Sequence, residues 1–307
     1  MKQNKKNKIS GIEAFDFYYT EIYGDRWQTL KASLRKENVY VKFLHSGKRN
    51  SEEEEGEIPC QEYFLDPASV CAALSLPVND SDKVLDLCAA PGGKSLILSS
   101  VLPDNGCLFS NERSPDRKKR LAKVIATCLP REISSRVTVS CSDGALWCRR
   151  ESEAYDSILL DAPCSSERHV LNDEKYLKDW TPNRVKTMTI EQWALLSSAF
   201  RLLKKGGYMV YSTCALAEEE NDKILQRLVK KFPQVQFMSF EEVKAVFDSN
   251  AEKLENLLFY PDREGEKALP LVQSTFQKAH KTQYGFHILP DTGEGAGPIF
   301  FSLLRKN

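Results

Sequence analysis

The chain has no run approaching the ~18 apolar residues needed to cross a bilayer, no net charge and no C-x-x-C pair. Each absence excludes a class. No membrane-spanning segment is expected. Equal counts of 43 basic and 43 acidic residues exclude a globally basic nucleic-acid binder and leave room only for a local patch. Nine cysteines are an odd set without paired spacing, which argues against a disulfide framework or a zinc site, so no metal is expected. A reducing compartment fits such a set. The opening MKQNKKNKIS has neither an apolar core nor an arginine-rich amphipathic pattern. A cytoplasmic protein is therefore the default expectation.

Phosphate-binding glycines are missing as well. The stretch VLDLCAAPGGKSLILSS, Val84 to Ser100, has the apolar run, small-residue turn and helical pattern of a nucleotide-binding crossover. A P-loop needs a glycine five residues before the Gly93-Lys94 pair, and Cys88 stands there. The dinucleotide fingerprint needs three spaced glycines, and only adjacent Gly92 and Gly93 are present. A P-loop ATPase fails on that count.

What is present suits an α/β unit with an appendage, given 307 residues of which 41% are hydrophobic. The acidic tract SEEEEGEIP reads as a linker, so residues 1–60 form a small helical region with its linker and residues 61–307 the main domain. In the first region Phe15, Tyr18, Ile22, Trp27, Leu30 and Leu34 recur at helical spacing. Tyr18, Tyr19, Tyr23 and Trp27 fit core packing better than base stacking. Candidate strands are residues 83–87, 107–111, 136–140, 157–161, 208–212 and 235–238. Candidate helices are residues 94–101, 115–128, 184–203 and 218–231, and YFLDPASVCAALSLP reads as a turn and a short helix. Strands alternating with helices predict a mostly parallel, doubly wound, Rossmann-like sheet. Residues 284–289 and 298–304 have no helix between them and predict an antiparallel hairpin at one edge.

Such sheets bind ligands beyond the carboxyl ends of their strands. After the first candidate strand come Asp86 and the turn Cys88, Ala89, Ala90, Pro91, Gly92, Gly93, Lys94, whose small residues let a ligand approach. Amides at the start of the following helix favour a carboxylate as readily as a phosphate. SNERSPDR at the second strand's end offers Glu112 for ribose hydroxyls, with Arg117 beside it. CSDG at the third supplies Asp143 to accept from an adenine amino group. Singly, Asp143 reads as a turn residue, Glu112 as a solvated side chain and Asp86 as a strand terminator. In succession they suit S-adenosylmethionine.

Two cysteines lie in polar turns beyond later strands: Cys164 in LLDAPCSSERHVL and Cys214 in YMVYSTCALAEEEND. Most of the other seven read as small buried hydrophobes. Methyl transfer to oxygen or nitrogen needs no thiol. Carbon 5 of a pyrimidine is a poor nucleophile until a thiolate adds to carbon 6, so a thiol there points to covalent catalysis, with a thiol pKa lowered from about 8.5. Asp161, between cofactor and base, would hold the N3/N4 edge of the pyrimidine.

LDLCAAPGGKS, NERSPDR, DAPCSS and YSTCAL closely resemble the motifs of the Sun/Nop-type RNA cytosine-C5 methyltransferases, over roughly residues 63–305. The resemblance implies a class I methyltransferase fold, S-adenosylmethionine as donor and 5-methylcytosine in RNA as product. It implies that Cys214 is the nucleophile and Cys164 assists release, an order the residues alone leave open. After Cys164, SSERHVL replaces the usual small-x-Gly continuation, and GAGPIFFSLLRK carries Gly-Pro before the final strand. Both, with FYYTEIYGDRW, are more similar to the mitochondrial ribosomal branch and its bacterial relatives, which adds a mitochondrial matrix as the alternative location. Ribosomal RNA is preferred over transfer RNA as substrate. No separate RNA-binding domain is visible, so a protein partner for targeting enters the expectations, for a chain expected to be a monomer.

The target cytosine must be single-stranded or flipped out. Arg113, Arg117, Lys118, Lys119, Arg120 and Lys123 concentrate positive charge at one helix start, and Arg168 and His169 follow Cys164. Such runs are more often solvated faces; beside a cofactor acid, some suit phosphate contact. Two other readings stand beside this one: a DNA cytosine methyltransferase attacking with the P-C thiol, and a non-catalytic ribosome-assembly factor of the same fold.

Overall fold

The computed structural model describes residues 10–50, 57–254, 258–259 and 268–307; residues 51–56 of the expected linker lie outside them. A nine-stranded mixed sheet organises the chain. Its strands, in chain order, are β1 (Lys83–Asp86), β2 (Cys107–Asn111), β3 (Val137–Ser140), β4 (Tyr155–Asp161), β5 (Leu203–Thr213), β6 (Val235–Phe237), β7 (His280–Lys281), β8 (Phe286–Ile288) and β9 (Ile299–Lys306). Across the sheet the order is β7-β8-β9-β5-β4-β1-β2-β3, with β6 also pairing with β9. The five strands β3-β2-β1-β4-β5 are parallel, and β9 runs antiparallel against β5. Strand order reverses between β1 and β4, so that gap is the expected ligand crevice.

Alternation along the strands builds two apolar faces. Val84, Leu159 and Val210 point into one core with the helices α3 (Pro67–Leu74), α4 (Gly93–Val101) and α5 (Pro115–Cys128). Leu85, Ile158, Leu160, Met209 and Tyr211 point into the other, with α7 (Asn183–Leu202) and α8 (Asp222–Lys231). The first core also takes α9 (Phe240–Lys253) and α10 (Leu269–Gln277), where Phe247 and Phe276 stack with centroids 4.1 Å apart.

The N-terminal helices α1 (Gly11–Tyr23) and α2 (Trp27–Leu34) pack on the sheet's rim. Phe15, Tyr19, Trp27 and Leu30 are fully buried with Val170, Leu171, Trp180 and Leu216. The aromatics are therefore core, as their spacing predicts. Residues 41–43 pair with 63–65 and with 258–259, which ties the chain on both sides of the acidic tract into one small sheet.

Several expected boundaries move. The fifth strand begins at Leu203, not Tyr208, because a bulge opposite Tyr155–Ser157 lets Lys204–Gly207 continue the edge. Gly207 is required there, since a Cβ would meet Asp156 O at 2.7 Å. The expected helix over residues 218–231 is interrupted at Asn221, whose backbone leaves the helical region at φ −112°, ψ −105°. Residues 235–238 give no further parallel strand; β6 runs antiparallel along β9.

Candidate active site

The turn after β1 packs tightly. Gly92 adopts φ +123°, open to glycine alone, and a Cβ on it would meet Val124 at 3.0 Å. A Cβ on Gly93 would meet Leu65 at 2.5 Å. The glycine pair thus lets the turn sit between α5 and residues 63–65. Close protein packing also requires both glycines. Cys88, Ala90 and Lys94 line a cleft of about 650 Å³. Ala89, Pro91 and Gly93 line a smaller cavity of about 170 Å³ beside it, and Asp86, Lys94 and Asp161 also line that one.

Asp86 is fully buried and accepts from Ser95 Oγ at 2.7 Å, while its Oδ1 has no hydrogen-bond partner. Burial raises its carboxyl to about 7 against the lowering effect of that hydrogen bond. An orphaned buried acceptor costs ~1–3 kcal/mol, so this oxygen is poised for a donor. Glu112, 4% exposed, accepts from Ser114 N at 2.9 Å and pairs with Arg117 at 3.3 Å. Arg117 also donates to Ala90 O at 2.7 Å, which ties α5 to the turn. Asp143 is exposed and accepts from Ala145 N at 3.0 Å, the turn role its Asp-Gly sequence suggests, while still lining the cleft. Asn111 braces both strand ends: it donates to Leu87 O and Ser142 O and accepts from Ser140 Oγ, each at 3.0 Å.

On the far side of the crevice, Lys94 Nζ donates to Asp161 Oδ2 at 2.8 Å and to Ser69 Oγ at 2.6 Å. Burial would lower the Lys94 pKa, but the Asp161 charge, its hydrogen bond and the Asp86 charge together outweigh it and hold the ammonium above its usual value. Ser212 Oγ donates to the other Asp161 oxygen at 2.9 Å. Asp161 is thus held as an oriented carboxylate with lone pairs left for the cleft.

Cys164 and Cys214 come together from 50 residues apart, with sulfurs 2.8 Å apart at the cleft floor. Ser166 Oγ lies 3.5 Å from each sulfur. The hydrogen bond to Cys214, then burial and the nearby Glu220 and Glu167 carboxylates, raise the Cys164 thiol well above its usual range. For Cys164 the direction is opposite to the lowering expected of an attacking thiol, and it keeps its proton at neutral pH; α6 (Glu167–Asn172) starts beside it. The Cys214 turn is fixed by Asn221, which accepts from Thr213 Oγ1 at 2.7 Å and donates to Ala215 O at 2.9 Å. The break in the expected helix therefore serves the cysteine.

The basic residues disperse. Arg113 pairs with Glu191 at 2.8 Å, and Lys119 lies 3.9 Å from Asp116. Arg168 reaches across the cleft to Asn38 and to Gly295 O, and its Nε is buried without a partner. His169 is exposed on the cleft rim. Among the described residues no group of three or more His, Cys, Asp or Glu could hold a metal, and no helix is long and apolar enough to cross a membrane.

The chain resembles several known proteins. The chain is 36% identical over 251 residues to ribosomal RNA small subunit methyltransferase F of Vibrio vulnificus, covering 80% of the chain and 46% of that protein. It is 31% identical to the 5-cytosine rRNA methyltransferase NSUN4 of Xenopus laevis, covering 80% of the chain and 56% of that protein. It is also 31% identical to a mitochondrial tRNA (cytosine(34)-C(5))-methyltransferase of Danio rerio, covering 80% of the chain and 61% of that protein. The chain spans about half the length of the first two relatives. A crystal structure of NSun6 from Pyrococcus horikoshii with SFG superposes with a TM-score of 0.65 at 15% identity, covering 96% of this chain and 98% of that one, which shows the shared class I methyltransferase fold. Residues 73–272 match the family model itself. The chain belongs to the 16S rRNA methyltransferase RsmB/F family.

Proposed function

We propose that this protein transfers a methyl group from S-adenosylmethionine to carbon 5 of a cytosine in ribosomal RNA through a covalent bond between Cys214 and carbon 6. The observation that carries the reading is the Cys164–Cys214 pair at 2.8 Å, on the floor of a cleft that also holds Asp161 and Glu112. Two thiols at one rim serve no purpose in methylation of oxygen or nitrogen.

The residues present fit the donor. The orphaned Asp86 Oδ1 beside the turn suits an amino-acid ammonium, buried Glu112 suits ribose hydroxyls, and Asp143 suits an adenine amino group. S-adenosylmethionine supplies an electrophilic methyl group. The chain does the rest. Cys214 loses its proton and its sulfur bonds to carbon 6, moving the C5–C6 π electrons so that carbon 5 becomes nucleophilic. Asp161, oriented by Lys94 and Ser212, accepts from the N3/N4 edge and favours the protonated, electron-poor ring. Once carbon 5 carries the methyl group it loses its proton to solvent, and the C–H electron pair re-forms the C5–C6 double bond. The C6–S bond breaks with its pair on sulfur, and the Cys164 thiol passes its proton to the departing Cys214 sulfur and regains one from solvent.

Ribosomal RNA is favoured because the family description and two of the relatives are named for it. Bisulfite sequencing of RNA from cells with and without the gene tests this. One small-subunit rRNA cytosine should become unprotected in its absence. Loss of protection at a tRNA position instead, with rRNA unchanged, would overturn the substrate choice.

Lys118, Lys119 and Arg120 sit near the start of α5, Lys119 and Arg120 exposed and Lys118 half-buried. We infer that they meet the RNA backbone near the cleft. Replacing all three with Gln is expected to weaken binding to a small-subunit rRNA transcript and to flatten its salt dependence by up to ~0.7 in log–log slope for each phosphate no longer neutralised. Affinity for S-adenosylmethionine should not move. An unchanged slope would return this run to the solvent.

A further inference from the structure

Behind the two thiols lies a buried acid pair that the proposed chemistry does not use. Glu167 and Glu220 are both fully buried, and Ser165 stands between them. Each acid holds one cysteine loop. Glu220 Oε2 accepts from Ser165 N, the residue after Cys164, at 2.9 Å. Glu167 Oε2 accepts from Leu216 N, two residues after Cys214, at 3.1 Å. Tyr19 of α1 donates to Glu167, and Gln192 of α7 donates to Glu220 at 2.8 Å.

Ser165 Oγ contacts both Glu167 Oε1 and Glu220 Oε1, but a hydroxyl has one hydrogen to give. A proton on one of the two carboxyls supplies the second bond. Two buried carboxylates at this separation also cannot both ionise without a large Coulomb cost. We propose that Glu167 and Glu220 share one proton through Ser165, and that this proton-bridged pair is the positioning device that sets the Cys164–Cys214 distance. It rests on the roles proposed above for the two thiols.

The surroundings agree. Burial, then the Glu167 charge, pushes Glu220 up to about 8, and burial raises Glu167 as well. The groups facing the pair are Tyr18, Tyr19 and Tyr23 from α1, Tyr211 from β5, Arg184 from α7, Glu219 beside Glu220, and the two cysteines. The four tyrosines are all raised, so none loses its proton before the pair does. Arg184 is spent on Ser165 O at 3.0 Å. Loss of the shared proton as pH rises through about 8 puts two charges where one hydrogen bond stood, and the two loops part.

The test needs neither RNA nor methyl donor. Diamide, a two-electron thiol oxidant, is added to the full chain, and the rate of Cys164–Cys214 crosslinking is followed by peptide mass spectrometry. Glu220→Gln, whose amide donates as the protonated carboxyl did, should crosslink at pH 7 within about threefold of the unsubstituted protein, whereas Glu220→Ala should be slower by about tenfold or more. Calorimetry should show S-adenosylmethionine affinity unchanged in both. Between pH 7 and pH 9 the unsubstituted protein should lose rate relative to Glu220→Gln. If Glu220→Ala does not fold, Ser165→Ala, which removes only the bridging hydroxyl, carries the same expectation. A Gln variant as slow as Ala, or a rate ratio flat with pH, overturns the shared proton. Crosslinking at the unsubstituted rate in Ala variants overturns the positioning role. Failure of covalent catalysis would show separately, as methylation by Cys214→Ser, and leaves these rates untouched.

Discussion

Cys214→Ser is expected to abolish methyl transfer and to form no covalent RNA adduct, whereas Cys164→Ser forms the adduct and stalls in releasing it. The two sulfurs share one site, so distance does not order them, and the roles are those that the motif resemblance implies. Cys164 is held as the thiol by its hydrogen bond to Cys214, by burial and by Glu220 and Glu167. A thiol so held keeps its proton at neutral pH and is a poor nucleophile, because attack needs the thiolate. Cys214 lies in the turn that Asn221 fixes and that faces the cleft opposite Lys94. A serine there is a far weaker nucleophile at carbon 6, and loss of a covalent nucleophile can cost up to about 10⁶ in turnover. With Cys164→Ser, attack and methylation proceed, but the departing sulfur loses its proton donor. A slow-migrating protein–RNA species should survive denaturing electrophoresis and vanish in the double variant. An adduct in Cys214→Ser and none in Cys164→Ser would reverse the roles. Activity retained in both, with no adduct, would sink covalent catalysis.

The parallel core of the fold was legible because it depends on local pattern. Short apolar runs separated by helical periods are what a sheet buried on both faces demands, and β1 to β4 fall close to their expected bounds. The rim residues Asp86, Glu112, Asp143, Asp161, Cys164 and Cys214 were legible for the same reason, since topology places every strand end at one edge. What stayed hidden depends on burial set from far away. LAEEEND opens the helix expected over residues 218–231, and nothing in it marks Glu220 as the one buried glutamate of its three; a short 3-10 turn leaves Glu218 exposed and Glu219 half-buried. Glu167 stands where the usual motif has a small residue, and its partner Tyr19 comes from α1, 148 residues earlier. Sequence spacing carries no signal for such a meeting. The one hint in the sequence was the departure itself: SSERHVL replaces the usual small-x-Gly continuation, and Ser166 there takes φ +55°. The small sheet of residues 41–43, 63–65 and 258–259 was missed because three-residue strands give no period to read.

Glu112→Ala is expected to weaken S-adenosylmethionine binding by roughly ten- to a hundredfold, the ~1.5–3 kcal/mol that a hydrogen bond to a charged group contributes. The side chain is 4% exposed, so its charge acts in a medium that screens it little. One oxygen already serves Ser114 N, and the other, 3.3 Å from Arg117, retains capacity for a ribose hydroxyl. Removing the carboxylate also strips Arg117 of its partner beside Ala90 O, so a shifted turn would contribute part of the loss. Arg117→Ala separates the two effects: it releases the same turn while leaving the carboxylate in place. If ribose binding is the cause, Arg117→Ala should bind several-fold better than Glu112→Ala. Asp143→Ala should lose less than Glu112→Ala, because Asp143 is exposed and water competes for its hydrogen bonds. Calorimetry on the three variants, with unfolding midpoints measured alongside, decides among these outcomes. Equal losses in Glu112→Ala and Arg117→Ala would make Glu112 a brace for the turn. Unchanged affinity in both Glu112→Ala and Asp143→Ala would place the cofactor elsewhere in the cleft.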